Sequence, residues 1–208
     1  MDDKTRPTLD EIAHREKKPE LWTDKKSATP GYVCHNYLRI YEREFSKWRD
    51  DPIQLLEIGV NKGASIKLWL AYFPNASVYG VDIKEFKNEA DLPHTDRFRF
   101  FPGNQSDPTL WNVLFGHLPY PLLDIIIDDG CHFSGPIHVA FECLWPRVKP
   151  GGYYIIEDIS EVLNPDSHTP GYPTQLEFVQ NLVEPVIFGL NDVDEIIISK
   201  DLCLLRKK

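Results

Sequence analysis

Short apolar runs alternate with segments of helical period from residue 52 onward. The apolar runs, rich in β-branched and aromatic residues, predict strands at 53–59, 77–82, 98–101, 122–128 and 153–158. Apolar residues at helical spacing predict helices between them at 64–73, 110–115 and 137–145. Alternating strands and helices predict a mostly parallel sheet with helices on both faces.

The C-terminal part breaks this alternation. Residues 149–152 are typical of a turn, and the proline-, glycine- and serine-containing stretch 164–173 is a candidate lid loop. A helix is predicted at 175–183, and the runs 195–199 and 202–206 flank a tight turn, as in an antiparallel hairpin. The predicted fold class is therefore α/β: a Rossmann-like sheet of seven mostly parallel strands, with helices on both faces and a C-terminal antiparallel hairpin.

The N-terminal part has a different pattern. Residues 1–30 are charged and interrupted by prolines, which is typical of an arm. Residues 36–49 have aromatic and apolar side chains on one helical stripe: Tyr37, Leu38, Tyr41, Phe45 and Trp48. The sequence thus divides into an N-terminal arm and helix (1–50) and a ligand-binding domain (51–208). We expect the helix to pack over the domain or to shield its site, and it could also serve a homo-oligomer.

Composition narrows the class of partner. A net charge of −9 argues against nucleic acid as a ligand, because phosphate binding needs a basic surface. No apolar run approaches the ~20 residues that span a bilayer, and the first residues have no apolar leader, so no membrane association is expected. The four cysteines have neither disulfide-framework nor zinc-site spacing. These features together predict a cytoplasmic protein with reduced thiols.

Residues that could hold a nucleotide-like cofactor follow the first three strands. Gly59 and Gly63 form a G-x-x-x-G turn after the first strand, which suits close approach of a ligand but equally fits a plain strand–helix turn. Asp82 ends the second strand, where it could accept hydrogen bonds from a ribose diol or cap a turn. Asn104 and Gln105 follow the third strand and could contact an adenine edge, or be ordinary turn residues.

Carboxylates are concentrated at the ends of the fourth and fifth strands. Asp128 and Asp129 end one strand, and Glu157 and Asp158 end the other. If these strands are neighbours, about 4.8 Å apart, the acids repel one another unless their pKa values rise or a cation binds. Oxygen ligands favour Mg2+ or Mn2+, although each acid could instead cap a helix or meet solvent. His132, three residues after Asp129, is the candidate general base.

These motifs occur in a familiar order: L-L-E-I-G-V-x-x-G-x-S, G-V-D-I, G-N-Q-S-D, I-I-I-D-D-G-C-H and P-G-G-Y-Y-I-I-E-D-I. From Thr23 to Ile159 the chain resembles the metal-dependent S-adenosylmethionine O-methyltransferases that act on macrolide sugars. The upstream motifs T23-D-K-K and H35-N-Y-L-R-I-Y-E42 are part of the resemblance.

The resemblance implies a class I methyltransferase fold and a set of site residues. It implies that the metal ligands are Asp129, Glu157 and Asp158, and that His132 is the base. It also implies that S-adenosylmethionine is contacted by Gly59, Gly63 and Asp82, with Glu57 supporting the turn and Asn104 and Gln105 near the adenine. Asp128 is expected on the cofactor side, as a supporting or turn residue. Two positions depart from the family pattern: Asn104 replaces an aspartate, and Cys131 replaces a serine.

The predicted function is Mg2+-dependent methyl transfer from S-adenosylmethionine to a hydroxyl of a vicinal diol on a sugar of a glycosylated natural product or saccharide. A catechol-type small molecule is an alternative acceptor. A binding module that keeps the cofactor pocket without catalysis is an alternative of another class. A nicotinamide-dependent oxidoreductase is disfavoured, because the chain lacks G-x-G-x-x-G after its first strand.

Overall fold

The computed structural model describes residues 6–15, 23–26, 34–84, 93, 95–160 and 164–208. The strands are β1 (Gln54–Ile58), β2 (Ser77–Asp82), β3 (Phe98–Pro102), β4 (Leu123–Asp128), β5 (Val148–Glu157), β6 (Val193–Ser199) and β7 (Leu202–Lys207). The α-helices are α1 (Leu9–Ala13), α2 (Leu38–Phe45), α3 (Ala64–Tyr72), α4 (Pro108–His117), α5 (Ser134–Leu144) and α6 (Gln175–Ile187). Single 3-10 turns lie at Ser46–Trp48, Trp145–Arg147 and Pro165–Ser167.

The seven strands form one sheet in the order β3-β2-β1-β4-β5-β7-β6. The first five strands are parallel, and β7 is antiparallel to both β5 and β6. The predicted sheet and its C-terminal hairpin are therefore confirmed. The chain order reverses between β1 and β4, and ligands of open α/β sheets bind at such a reversal, beyond the carboxyl ends of the strands.

The register of the strand pairs aligns the carboxyl ends of β1, β4 and β5. Ile58 of β1 pairs with Asp128 of β4, and Asp128 pairs with Ile156 of β5. The residues that follow each strand therefore emerge at one edge of the sheet. The neighbouring positions assumed for the two acid-bearing strands are confirmed.

Both faces of the sheet are covered, which explains the uninterrupted apolar run in β4. Ile125 and Ile127 pack in one hydrophobic cluster with Trp69 of α3, and Ile126 packs in a second cluster with Trp111 of α4. Side chains alternate between faces along a strand, so a strand covered on both sides must be apolar at every position.

The N-terminal segment belongs to the first of these clusters. Leu9 of α1 and Tyr41 and Phe45 of α2 are fully buried there, together with Trp69 and Tyr153. Packing of the aromatic stripe over the domain is thereby confirmed, whereas α1 was not predicted. The remainder of the predicted arm, at residues 1–5, 16–22 and 27–33, lies outside the described residues.

Residues 149–152 differ from the prediction, because they lie within β5 and not in a separate turn. The register between β4 and β5 jumps from Leu123–Val148 to Ile125–Tyr153, so the extra residues bulge out of a continuous strand. Gly151 accommodates the bulge with φ of 78°. Along the described part of the chain, none of the helices combines the length and apolarity needed to cross a membrane.

Candidate active site

The glycine turn after β1 is in direct contact with the acidic turn after β4. Gly59 has φ of 91°, and a Cβ atom at this position would lie 1.8 Å from the carbonyl oxygen of Asp129. The Gly59 amide donates to Val81 O (2.8 Å), and the Asp129 amide donates to Ile58 O (2.9 Å). A side chain at 59 is thus excluded both by space and by backbone conformation. Gly63, also at positive φ, lies at the N-cap of α3.

Asp82 accepts hydrogen bonds from backbone amides in the loops that follow β1 and β2. Its Oδ2 accepts from the Asn61 amide (2.8 Å), and its Oδ1 accepts from the Lys84 amide (2.9 Å). A carboxylate oxygen has two lone pairs, so each retains capacity to accept from a ligand hydroxyl.

Asn104 and Gln105 have different surroundings. Asn104 Oδ1 accepts from the backbone amide and the hydroxyl of Ser106. Gln105 is buried; its Nε2 donates to Asp128 Oδ1 (3.1 Å), and its Oε1 accepts from the Cys131 amide (3.1 Å). Gln105 therefore links the turn after β3 to the turn after β4, and Asp128 supports that link.

Asp128 is also buried and accepts from the Tyr154 hydroxyl (3.1 Å). Burial raises the pKa of Asp128 to about 6, although the Gln105 and Tyr154 donors oppose the shift.

Asp129, His132 and Asp158 converge at the carboxyl edge of the sheet. One donor atom from each lies within 4.8 Å of the others. His132 Nε2 is 3.9 Å from Asp129 Oδ1 and 3.7 Å from Asp158 Oδ2. Two carboxylates and an imidazole at this separation are donors that a divalent cation can bind.

Two members of this trio have unusual backbone conformations. His132 has φ of 58° and Asp158 has φ of 55°, in the left-handed region that non-glycine residues rarely adopt. Asn61, which also lines the site, has φ of 49°. Backbone strain that clusters around one cavity is typical of functional sites.

Lys25 contacts Asp129 of the trio and lies at the centre of a buried charge cluster. Its side chain is 1 % exposed, and Nζ lies 2.5 Å from Asp129 Oδ2, 2.8 Å from Glu157 Oε2 and 3.5 Å from Glu57 Oε1. Burial alone would lower the pKa of Lys25, but the surrounding carboxylates raise it well above its ordinary value. Lys25 therefore keeps its positive charge inside the protein.

The two glutamates of the cluster have further partners. Glu57 Oε2 accepts from Ser65 Oγ (2.9 Å) and Trp69 Nε1 (3.1 Å), and burial raises the pKa of Glu57 to about 7. Glu157 Oε1 accepts from the Tyr41 hydroxyl (2.5 Å) while its Oε2 accepts from Lys25. Glu157 is thus not among the residues whose donor atoms converge with His132, and its role as a metal ligand stays a prediction.

A cavity of about 520 Å³ opens at this edge of the sheet. Its walls include seven of the predicted site residues: Gly59, Asp82, Asn104, Gln105, Asp129, His132 and Asp158. The other four, Glu57, Gly63, Asp128 and Glu157, lie behind the wall or in the turns that shape it. The cavity therefore joins the predicted cofactor side and the predicted metal side.

A family model described as a methyltransferase domain matches residues 56–159, which is half of the chain. The chain belongs to this methyltransferase domain family. The matched residues run from β1 through the end of β5, so they include the glycine turn and both acidic turns.

Similar proteins include methyltransferases of sugar-bearing natural products. A mycinamicin VI 2''-O-methyltransferase from Micromonospora griseorubida is 31% identical over 74% of this chain and 36% of its own length. A rhamnosyl-tetracenomycin-C 3'-O-methyltransferase from Streptomyces olivaceus is 36% identical over 67% of this chain and 35% of its own length. The chain thus spans little more than a third of the length of these two relatives.

A solved structure agrees with this methyltransferase domain over nearly its full length. The methyltransferase MycE, in complex with Mg, S-adenosylhomocysteine and mycinamycin VI, superposes with a TM-score of 0.81. It is 25% identical, and the match covers 98% of this chain and 55% of MycE. The predicted class I methyltransferase fold is confirmed.

Sequence reasoning missed three residues of this methyltransferase site. Lys25 stands in a charged segment that was predicted as a loose arm, and Tyr37 and Tyr41 were interpreted only as packing residues. The T23-D-K-K motif contains this lysine, but the sequence does not distinguish a buried lysine from an exposed one. One feature of the sequence does indicate such a lysine. The predicted strand ends carry an excess of carboxylates, and buried acids require a partner of opposite charge.

Proposed function

We propose that this methyltransferase domain transfers a methyl group from S-adenosylmethionine to a hydroxyl of a vicinal diol on a sugar, with a divalent cation such as Mg2+ at the site. The observation that carries the proposal is the convergence of Asp129, His132 and Asp158 at the mouth of a cavity that also contains Gly59 and Asp82. The trio of Asp129, His132 and Asp158 is suited to activating a hydroxyl. Gly59 and Asp82 are suited to binding a nucleoside cofactor.

The donor set fits a divalent cation. Asp129 and Asp158 each direct one carboxylate oxygen towards the same space, beside His132 Nε2. Hard oxygen donors suit Mg2+ or Mn2+. Such a cation, when bound, supplies Lewis acidity towards an acceptor hydroxyl. Two neighbouring hydroxyls present more oxygen donors than one, which is the reason for favouring a vicinal diol.

His132 is the residue that we assign to proton transfer. Its Nε2 lies between two carboxylates, which stabilise the imidazolium that forms when it accepts the hydroxyl proton. Nε2 is the ring nitrogen that lies within 4 Å of both aspartates, so Nε2 is the atom to which we assign the proton. As the hydroxyl oxygen forms its bond to the methyl carbon, the carbon–sulfur bond breaks and its electron pair stays on sulfur.

The cofactor is assigned to the Gly59 side of the cavity. A ligand can approach the Gly59 backbone closely, and Asp82 has acceptor capacity for a ribose diol. The relatives that methylate sugars and the MycE complex with S-adenosylhomocysteine and Mg support this cofactor, this cation and a sugar acceptor.

The decisive experiment is a product assay with matched acceptors. The chain, S-adenosylmethionine and Mg2+ would be incubated with glycosides that carry a vicinal diol, with their monodeoxy counterparts and with catechols. We expect a mass increase of one methyl group on the diol glycosides only. Exhaustive chelation should abolish the product, and added Mg2+ should restore it.

Each other outcome identifies a different function. Methylated catechols without methylated glycosides would replace the sugar by an aromatic diol. Activity that survives chelation would remove the metal from the proposal. Tight binding of S-adenosylhomocysteine by calorimetry, with no product from any acceptor class, would favour a binding module.

A further inference from the structure

The buried cation Lys25 contacts one oxygen of Asp129, and the other oxygen faces His132. Oδ2 is held by the Lys25 ammonium at 2.5 Å, while Oδ1 faces His132 Nε2 at 3.9 Å. A carboxylate fixed through one oxygen cannot rotate freely about its last torsion. Asp129 therefore presents a single, fixed oxygen to the site.

Tyr37 likewise contacts one oxygen of Asp158, and the other oxygen faces His132. The Tyr37 hydroxyl donates to Asp158 Oδ1 (2.7 Å), while Oδ2 faces His132 Nε2 (3.7 Å). Lys25 and Tyr37 are only twelve positions apart in the chain. They lie 104 and 121 positions from the aspartates that they contact. One N-terminal segment thus restrains both acids.

We propose that Lys25 and Tyr37 are positioning residues for the metal site: each holds one oxygen of Asp129 or Asp158, so that each aspartate offers a single oxygen beside His132. This inference rests on the proposed function. Glu157 serves in this arrangement as the partner that keeps Lys25 in place, because its two oxygens accept from Lys25 and Tyr41. Residues that orient metal ligands through hydrogen bonds commonly change metal affinity by ~10- to 100-fold when removed.

Two effects of removing the Lys25 charge oppose each other. An ammonium group repels a nearby divalent cation, so its loss would by itself tighten metal binding. Its loss also leaves Asp129 and Glu157 side by side in a buried environment without a cation between them, so that the Asp129 oxygen that faced Lys25 is no longer held in place. Loss of a fixed ligand is the effect that we expect to dominate, because Asp129 supplies one of the two carboxylate oxygens that lie beside His132.

The first test is K25M, with Mn2+ titrated against the protein at saturating S-adenosylhomocysteine and free Mn2+ followed by electron paramagnetic resonance. We expect the Kd for Mn2+ to rise by about 10-fold or more, and the Kd for S-adenosylhomocysteine to stay within about twofold. K26M is the control for loss of a neighbouring lysine charge, because the Lys26 side chain is also inaccessible to solvent and the groups that raise its pKa include Cys34 and Asp10. Unchanged or tighter Mn2+ binding in K25M would overturn the positioning role of Lys25.

The second test does not change the charge and preserves the aromatic core. Y37F removes the hydroxyl that donates to Asp158, and Y153F removes a hydroxyl in the same hydrophobic cluster that donates to Glu44, away from the acids of the site. We expect Y37F to raise the Kd for Mn2+ by about 10-fold and Y153F to leave it within about twofold. Equal weakening by both variants would overturn the role of Tyr37, since the effect would then follow from loss of any hydroxyl in this cluster.

The wild-type titration separates this inference from the function on which it rests. If the wild-type chain binds no Mn2+, both proposals are overturned. If the wild-type chain binds Mn2+ and methylates a glycoside, while K25M and Y37F bind Mn2+ as the wild type does, only the positioning role is lost.

Discussion

Two residues of the candidate site have titratable side chains and unfavourable backbone conformations. His132 and Asp158 adopt left-handed backbone conformations that cost of order 1 kcal/mol or more each. Packing of the surrounding turns compensates for this cost. Gly59 packs against the Asp129 backbone, and Gln105 Oε1 accepts a hydrogen bond from the Cys131 amide. Their side chains consequently point into one cavity from two different strands.

His132→Gln tests the base at this scale. Glutamine keeps a polar side chain but cannot accept a proton from the hydroxyl, so turnover should fall by ~10^2-fold or more. The Kd for S-adenosylhomocysteine, measured by calorimetry, should stay within about twofold, because the cofactor is assigned to the other side of the cavity. Turnover equal to wild type would remove His132 from the mechanism.

Gly59→Ala tests the contact between the glycine turn and the acidic turn. The added methyl group would meet a backbone oxygen and force a strained φ, so the free energy of unfolding should fall by about 2 kcal/mol or more. Gly171→Ala is a matched control, because Gly171 has nearly the same φ, 90°, with nothing within 4 Å of the added atom. Chemical denaturation of both variants gives the difference, and equal losses would show that conformation alone requires the glycine.

The sequence predicts which candidate residues converge where residue type and position in a strand coincide. Asp129, His132 and Asp158 follow strand ends, and parallel strands bring their ends together, so their convergence followed from the pattern. Lys25 could not be predicted in this way. It precedes the first strand by nearly thirty residues, and only the packing of the N-terminal segment brings it into contact with Asp129 and Glu157.

Among the secondary-structure elements, α6 is attached most directly to the candidate base. Gln175, the first residue of the helix, is 1 % exposed and its Nε2 donates to the backbone oxygen of His132 (2.6 Å). The loop before it is fastened to the start of α5 by two hydrogen bonds between Thr169 and residues Ser134 and Gly135. The predicted lid loop is therefore tied at one end to the turn that carries His132.

Gln175→Leu tests whether this element positions the base. Leucine removes the donor that holds the strained His132 peptide, so kcat should fall by roughly 10-fold with KM for S-adenosylmethionine unchanged. Thr174→Ala is the control, because it breaks the N-terminal capping box of the same helix without touching His132. It should cost about 1 kcal/mol of stability and leave kcat near wild type. Equal losses of kcat would indicate helix stability as the cause.

Elements with strong periodicity were predicted, and those set by tertiary pairing were not. The five parallel strands appear within a few residues of their predicted positions, since a strand buried on both faces is apolar throughout. The glycine-rich residues 149–152 lie in a bulge of β5, because pairing with β4 continues past them. The five-residue α1 is too short to show a period, although Thr8 and Glu11 form a capping box at its start.

At the scale of the whole molecule, the sheet has buried charge at its carboxyl edge as well as a buried apolar interior. Glu57 and Glu157 are essentially inaccessible, and Lys25 is the cation between them. Burial raises the pKa of both glutamates, so the folded state binds protons more tightly than the unfolded state at these positions and stability depends on pH. The site and the stability of the fold are thereby linked through the same residues.

Glu57→Gln should reveal this link. Burial raises the pKa of Glu57 from 4.5 to about 7, so the folded state favours the neutral form. The contribution of Glu57 to stability should then be largest below pH 4.5 and be lost as the pH rises from 4.5 to 7, whereas glutamine stays neutral. At 1.36 kcal/mol per pKa unit, the variant should gain up to about 3 kcal/mol on the wild type between pH 5 and 8. Urea unfolding across that range measures the difference. A constant difference would mean that Lys25 keeps Glu57 ionised throughout, and that the cluster is a fixed ion pair with no proton uptake at this position.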